Sequence, residues 1–198
     1  ILTNLQEVNF MKIVANLKIS IAITLLVAGA FIAISLLASQ IIIRDINNVK
    51  EMSELSQLTK LSTLMSNLLQ EQQKERGYSG IFLGSKGEKF KSELEALRPV
   101  VDKQKSELQG FVKTLDKSAY GSVFTGKLDD ILADIEKMQG IRSSISSLSI
   151  ERPAALGYYT KINTNIIDLV AYMANLSTDP RVSINFVSYA NFMRNKEF

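Results

Sequence analysis

Two residue types that carry much of protein chemistry are missing from this sequence. Its 198 residues include no cysteine and no histidine. Without cysteine there can be no disulfide bond, thiolate nucleophile or cysteine-ligated zinc site. Without histidine, the usual general base near neutral pH and the usual zinc ligand are also absent. Because the sequence shows no paired catalytic carboxylates either, we expect no enzymatic activity, no metal site and no cofactor.

The chain also lacks a strong excess of charge. Lysine and arginine number 23 and aspartate and glutamate 20, which leaves a net charge of +3. Nucleic-acid-binding domains usually carry a clustered basic surface, often with interleaved aromatic residues. No such stripe occurs here, so we expect no nucleic-acid partner.

One long stretch contains no charge at all. Residues 19–43 read ISIAITLLVAGAFIAISLLASQIII, and as a helix they would extend roughly 37 Å, enough to cross a hydrocarbon core of about 30 Å. A secretory signal peptide has a shorter apolar region, usually about 7–15 residues, and a clearer cleavage site than ASQ. The stretch therefore predicts an uncleaved transmembrane helix.

The charges beside this helix predict its orientation. Lys12 and Lys18 precede it, with no acidic residue after Met11, a candidate translation start, whereas the other flank mixes both signs, in Arg44, Asp45, Lys50 and Glu51. Positive charge favours the cytoplasmic side. We therefore expect a cytoplasmic tail over residues 1–18 and a periplasmic domain over residues 44–198 of a protein in the bacterial inner membrane.

Apolar residues after the span recur at steps of three and four, which is typical of amphipathic helices. A first helix should run from Asp45 to about Phe82, with Gly84 as a left-handed C-cap. Ser85 and Glu88 have the spacing of a capping box for a second helix, which should reach about Lys117. Pro99 should bend or split that helix.

Three more helices follow in the prediction. They cover Phe124 to about Leu148, Pro153 to about Leu176, and the residues after Asp179-Pro180, where an N-cap precedes a first-turn proline. No segment alternates as a strand would, and short loops favour antiparallel neighbours. The fold class is thus all-α, an N-terminal transmembrane helix followed by an antiparallel up-down bundle.

The stretch QQKERGYSG, from Gln72 to Gly80, interrupts the helical pattern with a charge cluster and a glycine. Arg76 lies at the edge of the apolar stripe, so its guanidinium can pair with Glu75 or with Asp102 of the next helix. Alternatively, its planar fork can hold an oxyanion, with nearby hydroxyl groups completing the shell. By the structural interpretation, Gly77 permits close helix packing.

A longer segment around this stretch resembles a known family. Residues 68–102, LLQEQQKERGYSGIFLGSKGEKFKSELEALRPVVD, contain a Gln-x-Glu-Arg-Gly-x-Ser motif, then Phe-Leu-x-Ser-x-Gly and an arginine four residues before an aspartate. This order is similar to the start of the nitrate- and nitrite-sensing (NIT) domain of bacterial receptors. YYTKINTNIIDL at residues 158–169 and YANFMRNKEF at residues 189–198 resemble later segments of the same family.

The resemblance implies an all-helical sensor that binds nitrate or nitrite through arginines and signals by displacement of a helix. It assigns ligand binding to Arg76 and Ser79 of the motif, to Arg98, and to Arg142, which precedes the tyrosine segment. It also implies a homodimer in the membrane, with a second span and a kinase-coupling cytoplasmic region beyond Phe198, as in a methyl-accepting chemotaxis protein.

Two alternatives stay open at this point. The bundle can be a membrane-anchored module for protein–protein interaction that binds no small ligand. It can also be a generic four-helix chemoreceptor sensor for another solute. The output region of the receptor can equally be a histidine kinase or a cyclic-dinucleotide enzyme.

Overall fold

The computed structural model describes residues 2–177 and 179–197, with side chains from Ile19 onward except those of Ala22 and Glu197. It divides into two compact units, Ile1–Glu51 and Met52–Phe198. The described residues form six α-helices and one short 3₁₀ helix, and they contain no strand. The α-helices are α1 (Leu2–Gly84), α2 (Lys91–Val112), α3 (Gly121–Glu136), α4 (Met138–Ser146), α5 (Arg152–Met173) and α6 (Pro180–Glu197), and the 3₁₀ helix is Lys117–Tyr120. The all-α prediction is confirmed.

In the first unit, the apolar side chains of α1 face outward. Between Ile19 and Ile43 the large apolar residues range from 44% exposed at Val27 to 73% at Leu26. Among the described residues, α1 is the one helix long and apolar enough to cross a membrane, judged by length and composition. Lys12 and Lys18, on which the predicted orientation of the tail depends, lie outside the described side chains.

The helices of the second unit run antiparallel to their partners. Arg76 of α1 contacts Thr160 of α5, and two turns further along α1, Gly84 lies beside Arg152 at the start of α5. The same reversed order holds for α2 with α4 and for α5 with α6, in the contacts Arg98–Ser146, Asp102–Arg142, Ala174–Ser183 and Asp168–Arg194. The predicted up-down arrangement is therefore present.

The core of the bundle consists of two apolar clusters. The larger draws on all six α-helices, with Met138 as the contribution of α4, and the smaller comprises Phe82, Leu94, Ile145, Ala155 and Tyr159. Between them α1 turns buried polar side chains inward, at Gln72, Glu75 and Ser79, each 0% exposed. Arg142 of α4, 3% exposed, and Asn163 of α5, 0% exposed, are buried as well. A polar layer thus crosses the bundle between two apolar regions.

The loop after α1 differs from the predicted caps. Gly84 is the last helical residue, and the left-handed backbone lies further on, at Lys86, Gly87 and Phe90. Gly87 has φ +90°, and a Cβ there would lie 3.3 Å from Leu148. Both the backbone conformation and the contact with Leu148 therefore disfavour a side chain at this position. The capping box was wrong, because Ser85 Oγ accepts from the amide of Lys89 and Phe90 is the N-cap of α2, with no side-chain cap.

One other helix prediction needs correction, and one is confirmed. The predicted third helix is broken at Lys137 into α3 and α4. Of the two effects predicted for Pro99, a bend or a split, the split does not occur, since α2 runs through Pro99 as one helix. At the start of α6 the N-cap prediction is confirmed, since the amide of Arg181 donates to Asp179 Oδ1 at 2.8 Å.

The glycine that meets another helix is Gly80, not Gly77. Gly77 is exposed, and a Cβ added to it would find nothing within 4 Å. A Cβ on Gly80 would lie 3.2 Å from Cδ2 of Leu156 and 3.7 Å from Nε of Arg152, both on α5. The close-packing interpretation of Gly77 is therefore wrong, and α1 lacks a side chain where Leu156 packs.

Substitutions at these two glycines should act in opposite directions. Gly77→Ala should raise the free energy of unfolding by about 0.5–1 kcal/mol, because alanine costs less helical entropy than glycine. Gly80→Ile should lower it by about 1–3 kcal/mol through overpacking against Leu156. Urea denaturation of the protein in detergent, followed by circular dichroism, would measure both, and equal effects would mean that α1 and α5 do not meet at Gly80.

Candidate functional site

A buried ion pair joins α1 to α4 within the polar layer. Glu75 is 0% exposed and Arg142 3% exposed. Nε of Arg142 donates to Oε1 of Glu75 at 2.7 Å, and Nη2 donates to Oε2 at 2.7 Å. This bidentate arrangement is the strong form of an arginine–carboxylate pair, because two parallel charge-assisted hydrogen bonds fix its geometry.

Asp102 of α2 engages the remaining terminal nitrogen of Arg142. Nη1 donates to Oδ1 of Asp102 at 2.5 Å, so every nitrogen of the guanidinium contacts a carboxylate. Burial by itself would lower the pKa of Arg142, but the hydrogen bonds and charges of Glu75, and then of Asp102, outweigh it and raise the pKa. Arg142 is thus held as a cation by two helices.

Tyr159 brings α5 into the same network. Its hydroxyl donates to Oε1 of Glu75 at 3.0 Å, and its ring is fully buried. Burial, followed by the nearby Glu75 carboxylate, raises the pKa of Tyr159 well above its ordinary value of 10.0. The Glu75 carboxylate of α1 therefore accepts from α4 and α5, and Asp102 of α2 joins the network through Arg142, so four helices meet at one level of the bundle.

Arg98 lies at the edge of this network. Its Nη1 donates to Oγ of Ser146 at 2.8 Å and its Nη2 to the carbonyl of Arg142 at 3.4 Å, while Nε is 3.6 Å from Glu75 Oε1. Asp102, one turn further along α2, pairs with Arg142. Arg98 thus ties α2 to the end of α4.

A groove of about 380 Å³ runs between α2 and α4 beside these residues. It is lined by Glu95, Arg98, Pro99, Asp102, Gln139, Arg142, Ser143 and Ser146. Two of the predicted ligand-binding arginines, Arg98 and Arg142, are therefore close together. The carboxylates that share the groove offset their positive charge.

Arg76 projects to a different interface. Its Nη1 donates to Oγ1 of Thr160 at 3.0 Å, and its side chain is half-buried between α1 and α5. Ser79, one turn further, is 0% exposed. The Ser79 hydroxyl is close enough to Tyr159 to lower the pKa of that phenol. It makes no hydrogen bond of ordinary geometry with any residue that the structure describes. The predicted residues thus form two groups, Arg76 with Ser79 and Arg98 with Arg142.

Sequence reasoning missed the buried pairing of Glu75 with Arg142 and the contact of Thr160 with Arg76. A signal for Glu75 was present, because inward-facing positions of α1 continue at steps of three and four through Leu68, Gln72, Glu75, Ser79 and Phe82. Polar residues at those steps enter the core. Within the described side chains, no group of three or more aspartates and glutamates is placed to hold a metal ion.

Fold and polar layer together define an antiparallel helical bundle with arginines in and around its interior. The family of nitrate and nitrite sensing (NIT) domains matches residues 67–198. The chain therefore belongs to the NIT family, and its resemblance to that family is confirmed.

Two relatives were compared with the chain. The nitrate regulatory protein of Klebsiella oxytoca is 25% identical over 135 residues, which are 67% of this chain and 33% of that protein. The solved structure of the NasR transcription antiterminator superposes with a TM-score of 0.71 at 23% identity, over 75% of this chain and 40% of that one. The chain thus spans about a third of the length of the curated relative, and the structural likeness shows the shared fold.

Loss of one member of the buried ion pair should be costly. Glu75→Gln or Arg142→Met should each lower the free energy of unfolding by about 3–5 kcal/mol, because the other charge stays buried without its partner. In the double variant, the free energy of unfolding should fall by clearly less than the sum of the losses in the two single variants. Denaturant unfolding of all three, arranged as a double-mutant cycle, would measure this coupling. Asp129→Asn, which removes an exposed ion pair with Lys117, is the control and should cost about 1 kcal/mol or less.

Alkaline pH should destabilise the bundle through its buried tyrosines. The pKa values of Tyr159 and Tyr120 are raised, that of Tyr120 to about 12 mainly by burial. Above the ordinary value of 10.0, the unfolded chain loses these protons while the folded chain keeps them, so stability present below pH 10 falls as pH rises. Thermal unfolding between pH 9 and 11 would test this, and Tyr120→Phe should flatten the slope. An unchanged slope would contradict the assignment.

Proposed function

We propose that this chain is the ligand-sensing part of a bacterial membrane receptor and that it binds nitrate or nitrite between α1 and α5. The observation that carries the proposal is Arg76, which stands in the family motif and is half-buried beside the hydroxyl of Thr160. A guanidinium fork matches two oxygens of a planar monoanion, and hydroxyl groups can donate to it as well. Ser79, buried one turn further, supplies another hydroxyl.

The α2–α4 groove is a less suitable place for the anion. Arg142 already donates from all of its nitrogens to carboxylates, and Glu95 and Asp102 line the same groove. A nitrate there would have to displace a carboxylate or lie beside one, and both are electrostatically unfavourable. Direct contacts of Arg98 and Arg142 with the ligand stay predictions. In this proposal, the two arginines hold α1, α2 and α4 in register.

Membrane attachment is supported by the first unit. The apolar residues between Ile19 and Ile43 are exposed over a length that suits a lipid bilayer. A helix with this surface needs an apolar environment, because such a continuous exposed apolar area is unfavourable in water. The periplasmic location of the bundle, the homodimer and the chemotaxis output are parts of the proposal that rest on the charge pattern and the family resemblance.

Ligand binding changes such a receptor only through a difference in affinity between two conformations. Arg76 and Thr160 belong to different helices, so an anion held by both would favour one relative position of α1 and α5. Glu75, which precedes Arg76 on α1, forms the ion pair with Arg142 of α4. A small displacement of α1 would therefore reach both interfaces.

Nitrate titration of the purified chain in detergent would test the proposal. Nitrate and nitrite should release or absorb heat in calorimetry, and chloride should give a much smaller effect. Arg76→Ala should weaken nitrate binding by about tenfold or more, because hydrogen bonds to a charged group contribute about 1.5–3 kcal/mol. The control is Arg181→Ala, whose side chain is 89% exposed. No binding at millimolar nitrate would favour the interaction-module alternative.

A further inference from the structure

Gln72 lies on the inward-facing side of α1, and its buried amide makes no hydrogen bond within the described residues. It is 0% exposed, and neither Oε1 nor Nε2 has a hydrogen-bond partner within residues 2–177 and 179–197. An amide buried in this way is unfavourable by about 1–3 kcal/mol for each unsatisfied group. A leucine of nearly the same size would avoid this cost, so the buried amide lowers the stability of the ligand-free bundle.

The position of Gln72 links it to Arg76. The two residues are four apart on α1, so their side chains project from the same face, about 6 Å apart along the axis. Helical side chains lean toward the N-terminus, which directs Arg76 toward the level of Gln72. On the antiparallel α5, Asn163, also 0% exposed, lies one turn beyond Thr160, the residue that Arg76 contacts.

We propose that Gln72 is a specificity-determining ligand of the anion site. This inference rests on the proposed function. Two oxygens of nitrate would accept from Arg76, and the third would accept from the Nε2 amide of Gln72. Nitrate accepts hydrogen bonds and donates none, so it suits the donors of a guanidinium, an amide and a hydroxyl. Nitrite has only two oxygens and leaves the amide without a partner, which sets a preference for nitrate.

Complete burial of Gln72 also sets a condition for binding. An anion can reach its amide only when α1 and α5 separate at the level of Arg76, because no part of the Gln72 side chain is open to solvent. Binding is therefore coupled to a movement between these two helices. The bound anion would stabilise a helix position different from that of the ligand-free bundle.

The test compares Gln72→Leu with the wild-type chain in detergent by calorimetry and thermal unfolding. Gln72→Leu should raise the melting temperature without ligand, since it removes the unbonded amide. It should also weaken nitrate binding about tenfold or more and weaken nitrite binding much less. Gln70→Leu is the matched control, because Gln70 is an exposed glutamine on the same helix and should leave both affinities unchanged.

Each other outcome would overturn the inference. If the wild type binds nitrate and Gln72→Leu binds it equally well, Gln72 is not a ligand, although the proposed function stands. If Gln72→Leu weakens the binding of nitrate and of nitrite equally, Gln72 does not discriminate between the two anions. If the wild type binds neither anion, the proposed function fails as well. Gln72→Met, which keeps length and removes both polar atoms, replaces the leucine variant if that one does not fold.

Discussion

The buried pair of Glu75 and Arg142 is the interaction on which the arrangement of the bundle depends. Two charges in a helical core are tolerated only when each is fully hydrogen-bonded. Glu75 meets this condition through Arg142 and Tyr159, and Arg142 meets it through Glu75 and Asp102. Because these partners come from α1, α2, α4 and α5, the register of four helices is set at one level.

Adjacent residues of the Glu-Arg motif serve different interfaces. Consecutive side chains on an α-helix point about 100° apart. Glu75 therefore enters the core toward α4, whereas Arg76 projects toward α5 and Thr160. The two contacts share one peptide unit of α1. If binding at Arg76 moves the backbone of α1, the geometry of the buried Glu75–Arg142 ion pair changes as well. This coupling gives a physical reason for the adjacency of Glu75 and Arg76.

The helical fold was predictable because it follows from local periodicity, and most helix positions were correct within a few residues. The failures occurred where tertiary contacts decide. Gly84 has the sequence signature of a cap, yet the chain turns at Lys86 and Gly87, and a Cβ on Gly87 would lie only 3.3 Å from Leu148. Likewise, nothing local marks the break at Lys137, which divides the predicted third helix into α3 and α4.

The candidate site was predictable in part. Arg76 and Arg142 were identified from the family pattern, but the pattern gives no information on which carboxylates surround them. Glu75 and Asp102 come from positions 67 and 40 residues away from Arg142 in sequence. Such pairings depend on which helices lie side by side, and the local pattern of a single sequence does not reveal this. For the same reason, Asp102 was considered as a partner of Arg76, whereas it pairs with Arg142.

The contact at Gly80 has a mechanical consequence. Leu156 packs directly over the α1 backbone there, so the two helices meet without an intervening side chain on α1. Because an α-helix keeps a nearly straight axis over this length, the displacement from a tilt at this contact would grow with distance along α1. Met52 lies 28 residues before it, roughly 42 Å along the helix. A tilt of about 5° at Gly80 would move the helix axis at Met52 by roughly 4 Å. A change too small to disturb the contact with Leu156 would therefore shift the start of the packed part of α1 by about the diameter of an atom.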